Sequence, residues 1–248
     1  QRDLCLGGQG APFVPAAHRL LFGQKQACIA IQNLGGVGNL TLINKGEIPI
    51  AFDTGPANMW MDMVLRWHTE SQKTYDKDGA LAQKGKPDMQ LVNQLLMHPY
   101  FSQKPPKSTG WEDFGEAYLS QFKKDILALS LEDAASTMAH TTAHALVRAY
   151  QKFIFPNHPK PSSIVLCGGG AKNCYFRHIL ETLFPDQEIM DSQDFGIPVD
   201  QVEALSFGIL ALELLRGRPN NVSVATGASS DSYCGEIAVG ALKTPQIL

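Results

Sequence analysis

The segment AFDTGPANMWMD (51–62) places Asp53 at the end of an apolar run, IPIAF, and just ahead of NMWMDMVLRW, which has helical spacing. A carboxylate at a strand-to-helix turn has two uses. It can cap the helix by accepting backbone N–H groups, or it can project into a cleft as a general base. Asn58 could take over the capping and leave Asp53 free. Two other turns are stripped of side chains. NLGGVGN (33–39) can be a glycine hairpin or a nest of N–H groups for phosphate. LCGGGAKN (166–173) runs strand, three glycines, helix, and is neither G-x-G-x-x-G nor a Walker loop. It can be a tight turn, or the floor for a ligand lying flat on backbone at the C-terminal edge of a sheet.

Other arrangements say less. His140 and His144 are four residues apart, but Thr141 stands where a zinc protease would carry Glu, so packing or helix surface is the reading. PPKSTG (105–110) could hold an anion through Lys107 and its hydroxyls, or be a solvated turn. Cys5, Cys28, Cys167, Cys174 and Cys234 are scattered, with no C-x-x-C pair. They read as small buried hydrophobes in a reducing compartment, not as a disulfide framework or a metal site. The sequons at Asn39 and Asn221 carry no weight there.

Hydrophobic spacing supplies the elements that must hold these turns. QACIAIQNL (26–34), NLTLIN (39–44) and IPIAF (48–52) predict three strands, the last two as antiparallel neighbours because their connection is short. Helices are predicted from about Asn58, over 88–97, and over 131–154 with Ser130 as N-cap and Asp133 as a near capping box. SSIVLCGGG (162–170) predicts a buried strand. Asn173 then caps a helix to about Leu183, and QEIMD (187–191) is a short strand. A last helix runs from about Asp200 to Arg216, with Leu205, Ile209, Leu212 and Leu215 along one side, and Gly217 ends it. No internal repeat is visible. A meander followed by strands alternating with helices is an α/β fold.

The chain has 248 residues, 44% hydrophobic and 18% charged, enough for one large domain or two small ones. A net charge of −3 leaves no footprint for nucleic acid or anionic lipid. No apolar run approaches the ~18 residues that span a bilayer. The opening QRDLCLGGQG is not a signal peptide and lacks Met, which reads as a processing point, an engineered boundary or a truncation.

The order of the motifs is more specific than any one of them. RDLCLGGQGAPFVPAAH, NLGGVGNLT, FDTGPANMWMD, YDKDGALAQKG, PYFSQKPPKSTG, VLCGGGAKN, VEALSFGILAL and NNVSVATGAS run in register to about Ser229. Together they closely resemble the anhydro-N-acetylmuramic acid kinase family, within the actin/sugar-kinase/Hsp70 superfamily. The resemblance implies two RNase-H-like α/β domains, with ATP and sugar meeting in the cleft between them. It implies hydrolysis of a 1,6-anhydro ring and phosphorylation of the same sugar to N-acetylmuramic acid 6-phosphate, in recycling of the bacterial cell wall. Asp53 matches the general base, which takes a proton from the water attacking the anomeric carbon. The oxygen released at C6 would then attack the γ-phosphate. On the nucleotide side the resemblance implies Asn33, Gly35, Gly36 and Thr54 toward phosphate, and Gly168, Gly169, Gly170 and Asn173 toward adenosine. On the sugar side it implies Glu203, with Asp3 and Gln9 in the segment joining the domains. ATP and Mg2+ are the implied cofactors, with no metal ligand from this chain.

Departures from the family pattern shape the expected organisation. The MSGTSLDG-like phosphate turn, the HGQT-like motif and an Arg just before the present start are not in this sequence, and Trp111 stands where the family usually has Arg. The expectation is that residues 1–24 are an interdomain segment and 25–248 the C-terminal RNase-H-like domain. The chain alone should then be an inactive kinase and a poor monomer, working in the cytoplasm with the N-terminal domain and, as an option, as a homodimer. No nucleic acid and no membrane partner is expected. A levoglucosan kinase and a non-catalytic binding module are the competing readings.

Overall fold

In the computed structural model, residues 1–23 and 28–237 are described. The expected boundary between residues 24 and 25 and the first two residues of the 26–34 strand lie outside them. Cys28–Leu34 (β1), Val37–Asn44 (β2) and Ile50–Pro56 (β3) form an antiparallel meander, as the short connections predict. Ser163–Cys167 (β4) joins β1 in parallel, and Glu188–Asp191 (β5) joins β4 in parallel. The sheet order is β3-β2-β1-β4-β5. β1 and β4 are therefore central, which is why both read as unbroken apolar runs.

Period-2 alternation sends side chains to two separate cores. Ala30, Leu34, Leu40, Phe52, Ile164 and Leu166 face the larger one. Against it pack Asn58–Thr69 (α2), Leu131–Ala149 (α4) and Cys174–Leu183 (α5), with Met89–Leu95 (α3) behind. Ile29, Ile31, Val165 and Cys167 face the other, closed by Pro15–Phe22 (α1) and Val202–Leu215 (α6). Buried Ala134, Ala135, Ala139 and Ala143 keep α4 thin enough to lie close to its neighbours. This mixed sheet, flanked on both faces, is the RNase-H-like α/β class. Among the described residues, no helix is long and apolar enough to cross a membrane.

Two helix expectations change. The segment 131–154 is not one α-helix: it loosens into a π turn over Tyr150–Ile154, where Tyr150, Phe153 and Ile154 are all buried. The stripe Leu205, Leu212 and Leu215 on α6 faces outward, with Leu215 70% exposed. Val202, Ser206 and Leu210 face the protein instead. α6 is apolar nearly all round, so its sequence could not say which side is buried. The Ser130 cap forms as expected, but the Asp133 side chain accepts from Lys86 N rather than closing a capping box.

Candidate active site

The sheet register lines up one polar row. Asp53 pairs with Asn39, Asn39 with Asn33, and Asn33 with Cys167. Asn33 shares the phase of Ile31, and Cys167 that of Val165, so the row points to the α1 and α6 side. The alignment depends on a register shift at Gly38/Asn39, which pairs Gly38 with Gly55 and leaves Thr54 as the extra residue. A pocket of about 230 Å³ stands over the row, walled by Ala11–Val14 and His18 on one side and by Val202, Glu203 and Phe207 on the other.

Asp53 is fixed from behind by one loop. Its N–H donates to the Lys107 carbonyl (3.2 Å), its carbonyl accepts from the Tyr100 hydroxyl (2.7 Å), and its Oδ2 accepts from Thr109 N–H (2.9 Å). Burial pushes its carboxyl up to about 6, against the pull of the Thr109 N–H and the Lys107 charge, with Glu112 adding to the rise. Such a group is ionised at neutral pH and still basic enough to accept a proton. Capping of α2 falls to neither Asp53 nor Asn58. The first N–H groups of that helix donate to the carbonyls of Gly35 and Gly36, and the Asn58 side chain donates to Leu34 O.

His18 and Asn39 also line the pocket; both lie in motifs of the sequence, at the end of RDLCLGGQGAPFVPAAH and of NLGGVGN, but their residue types and spacing point to no role. His18 Nδ1 lies 3.0 Å from Thr41 Oγ1. Burial pulls its pKa down to about 4, so the ring is neutral. Asn39 Oδ1 is buried with no hydrogen-bond partner among the described residues. A buried acceptor without a donor in a pocket suits a ligand hydroxyl or amide N–H. Cys167 is no nucleophile: burial, then the Glu203 charge, pushes its thiol up to about 12.

The second glycine turn builds a different wall. A side chain on Gly168 would strike Asn33 Oδ1, and one on Gly170 would meet Leu34 Cβ at 2.7 Å. Gly169 has only Asn58 Nδ2 near, at 4.0 Å. Packing therefore demands the outer two glycines, and the middle one opens on a second pocket of about 450 Å³. Asn58, Asp62, Lys172 and Asn173 line it. Asn173 caps α5 as expected, through Phe176 N–H at 2.9 Å. Asp62 was not in the sequence-based set; burial pushes its carboxyl up to about 6, against Arg66. A flat backbone floor with a carboxylate beside it can hold a polyhydroxylated or heterocyclic ligand without side-chain interference. Asn33 lines the first pocket and lies against Gly168, at the start of the turn whose Gly169 and Gly170 line the second.

Several expected contacts are turned elsewhere. Thr54, as the bulge residue, points into the larger core, where Gln32 Nε2 donates to it, and it lines neither pocket. Asp3 is fully buried and both its oxygens are engaged, one by Asn221 and Thr226, the other by Gly10 N–H. Burial raises its pKa, but these donors outweigh it and hold the carboxyl below its ordinary value. Asp3 thus ties the N-terminal segment to the 220s. Gln9 bridges to Pro106 O and Ser108 Oγ instead of lining the pocket. Gly35 and Gly36 do not have positive φ, and their carbonyls serve α2. Lys107 is neither solvated nor in the open: it is 4% exposed. His140 and His144 stack at 6.1 Å, with His140 Nε2 against Tyr175 Oη. Nothing in the structure explains Trp111, which stands exposed.

The geometry can be set beside known proteins. The family model described as anhydro-N-acetylmuramic acid kinase matches residues 1–240. An anhydro-N-acetylmuramic acid kinase of Caldanaerobacter subterraneus subsp. tengcongensis is 40% identical over 243 residues, covering 96% of this chain and 61% of that protein. One from Synechocystis sp. is 39% identical over 246 residues, covering 95% and 62%. The chain thus spans about three-fifths of the length of these relatives. Among solved structures, component A of the Acidaminococcus fermentans (R)-2-hydroxyglutaryl-CoA dehydratase is similar at a TM-score of 0.44 and 14% identity, over 78% of this chain and 64% of that one. The family model's match over nearly the whole chain shows that the chain belongs to the anhydro-N-acetylmuramic acid kinase family.

Proposed function

We propose that the full-length protein is an ATP-dependent kinase of 1,6-anhydro-N-acetylmuramic acid, opening the anhydro ring and phosphorylating the sugar at O6. The observation that carries this reading is the cross-strand row, which sets an anchored, partly basic Asp53 in one pocket with Asn33, Asn39, His18 and Glu203. Asp53 Oδ1 would take a proton from the water that attacks the anomeric carbon. The C1–O6 bond breaks as the new C1–O bond forms, and O6 attacks the γ-phosphorus, with ADP leaving. His18 and Asn39 would hold ring hydroxyls or the amide, and Glu203 the far side of the sugar. The open face over Gly169, beside Gly168, Gly170 and Asn173, fits an adenosine floor, with Asn33, Gly35 and Gly36 nearest the phosphates. Mg2+ would supply charge neutralisation on the phosphates.

In this reading residues 1–24 bridge to the rest of the enzyme, and 25–248 form the sugar-and-adenosine half of a two-domain cleft. The part of the relatives that this chain does not span would close the cleft and complete the phosphate site. The chain alone would then be inactive. Use of ATP and of recycled cell-wall sugar fits the cytoplasm, and a homodimer remains compatible.

A second substrate reading has one observation in its favour. The described residues lining the first pocket include Asp53 and Glu203 but no Lys or Arg. That lining suits a neutral anhydro sugar such as levoglucosan better than the lactyl carboxylate of the muramic sugar. The test is direct: full-length protein with ATP, Mg2+ and each sugar, products read by mass. We expect the muramic sugar to gain both water and a phosphoryl group, with a kcat/KM at least ~10-fold above levoglucosan. Turnover of levoglucosan alone would replace the substrate, and turnover of neither would overturn the kinase.

A further inference from the structure

Lys107 is a charged residue in an apolar place. Its Nζ donates to Tyr100 O at 3.1 Å and lies over the rings of Tyr100 (4.3 Å), Phe153 (4.8 Å) and Phe52 (5.6 Å). No carboxylate lies within ion-pair distance of it among the described residues. Burying an ammonium with one carbonyl partner is costly, and an aromatic cage offsets only part of the cost. A Met of similar volume would satisfy the same cage more cheaply. Stability alone therefore gives no reason for the charge.

The surroundings give one. Tyr100, whose carbonyl takes the Lys107 ammonium, sends its hydroxyl to Asp53 O; the Lys107 carbonyl takes Asp53 N–H; and Thr109, two residues on, holds Asp53 Oδ2. Among the described residues, the hydrogen bonds that anchor Asp53 outside the sheet ladder thus run through the loop that Lys107 pins. We propose that Lys107 is the positioning residue for Asp53, locking the 100–109 loop against β3 and supplying the positive charge behind the carboxylate that keeps it ionised and aimed at the pocket. This rests on the reading of Asp53 as the base. The other groups facing the pair act against it or are neutral. Glu112 pushes the Asp53 pKa up, Glu203 and neutral His18 share its pocket, and Lys152 from the π turn depresses Lys107, whose pKa falls to about 8 chiefly through burial.

The experiment is the pH profile of kcat/KM in the full-length protein, for wild type, Lys107→Met, Lys107→Gln, Tyr100→Phe and Asp53→Asn. Removing the charge should move the acid limb upward by about one pH unit, while Lys107→Met melts no lower than wild type. Tyr100→Phe keeps the charge and loses the hydroxyl, so it should lower kcat without moving the limb. An acid limb that stays in place in both Lys107 variants overturns the proposal, as does failure of both to fold, which would make the lysine structural. Asp53→Asn separates the two readings. If it stays active, the base assignment itself has failed. If it is inactive while the Lys107 variants keep the wild-type limb, only the role of Lys107 has failed.

Discussion

The two pockets are built in opposite ways. The Asp53 pocket is a convergence: its wall comes from the 11–18 segment, three strands of the meander, the end of β4 and the start of α6, and its polar groups are side chains. The Gly169 pocket also gathers side chains from 58–62, 75–78 and 172–173, but its floor is the bare backbone of one turn, where what matters is the side chain that is missing. A convergent site is precise in placing chemistry, because each group is locked by its own element. A backbone floor tolerates a large ligand but selects weakly. The difference suits a division of labour, with bond-making at the first pocket and ligand seating at the second.

The largest effect should come from the first pocket. Asp53→Asn keeps size and hydrogen bonding to Thr109 N–H but cannot take a proton. Turnover in the full-length protein should fall by at least ~100-fold, about 2.7 kcal/mol of barrier. Melting should change little, because Asp53 caps no helix. A variant retaining more than about a tenth of wild-type turnover would move the chemistry off Asp53, with Glu203 the next group to test.

A middle-sized effect should mark the second pocket. Gly169→Val fills the open face, so the KM for ATP should rise about 10-fold while kcat changes little. Gly170→Ala is the contrast, since its Cβ would press on Leu34. It should cost about 1–3 kcal/mol of stability instead. Were Gly169→Val to lower kcat and leave KM alone, the division of labour between the pockets would be wrong.

The smallest effect is a slope. His18 is held neutral by burial, with its pKa lowered to about 4. Between that value and the ordinary one near 6.5, the unfolded chain binds a proton that the folded chain does not. Stability should therefore fall as pH drops through this window, by up to about 1.4 kcal/mol per pH unit. His18→Phe should flatten that part of a denaturation series. An unchanged slope would mean that the pocket wall opens to admit the proton.

Much of this was legible in the sequence, for reasons that differ by residue. The strand runs around Ile29, Leu40 and Ile164, the Ser130 and Asn173 caps, and the three-glycine turn are local signals. Alternation, short polar oxygens and missing side chains act within a few residues of chain, so spacing alone identifies them. Asp53 was visible as a carboxylate at a strand end, though its competing role as a cap was not excluded. Only the tertiary structure decided that question, because the loop donors to Asp53 are Tyr100 and Thr109, far along the chain, and the helix it might have capped is served by the carbonyls of Gly35 and Gly36. The bulge that turns Thr54 inward, the burial of Lys107 in an aromatic cage, the meeting of His18 with Thr41, and the outward face of α6 likewise depend on which elements become neighbours. Long-range packing decides those, and a sequence in which α6 is apolar on every side, or in which Lys107 sits in a polar loop, carries no local trace of the outcome.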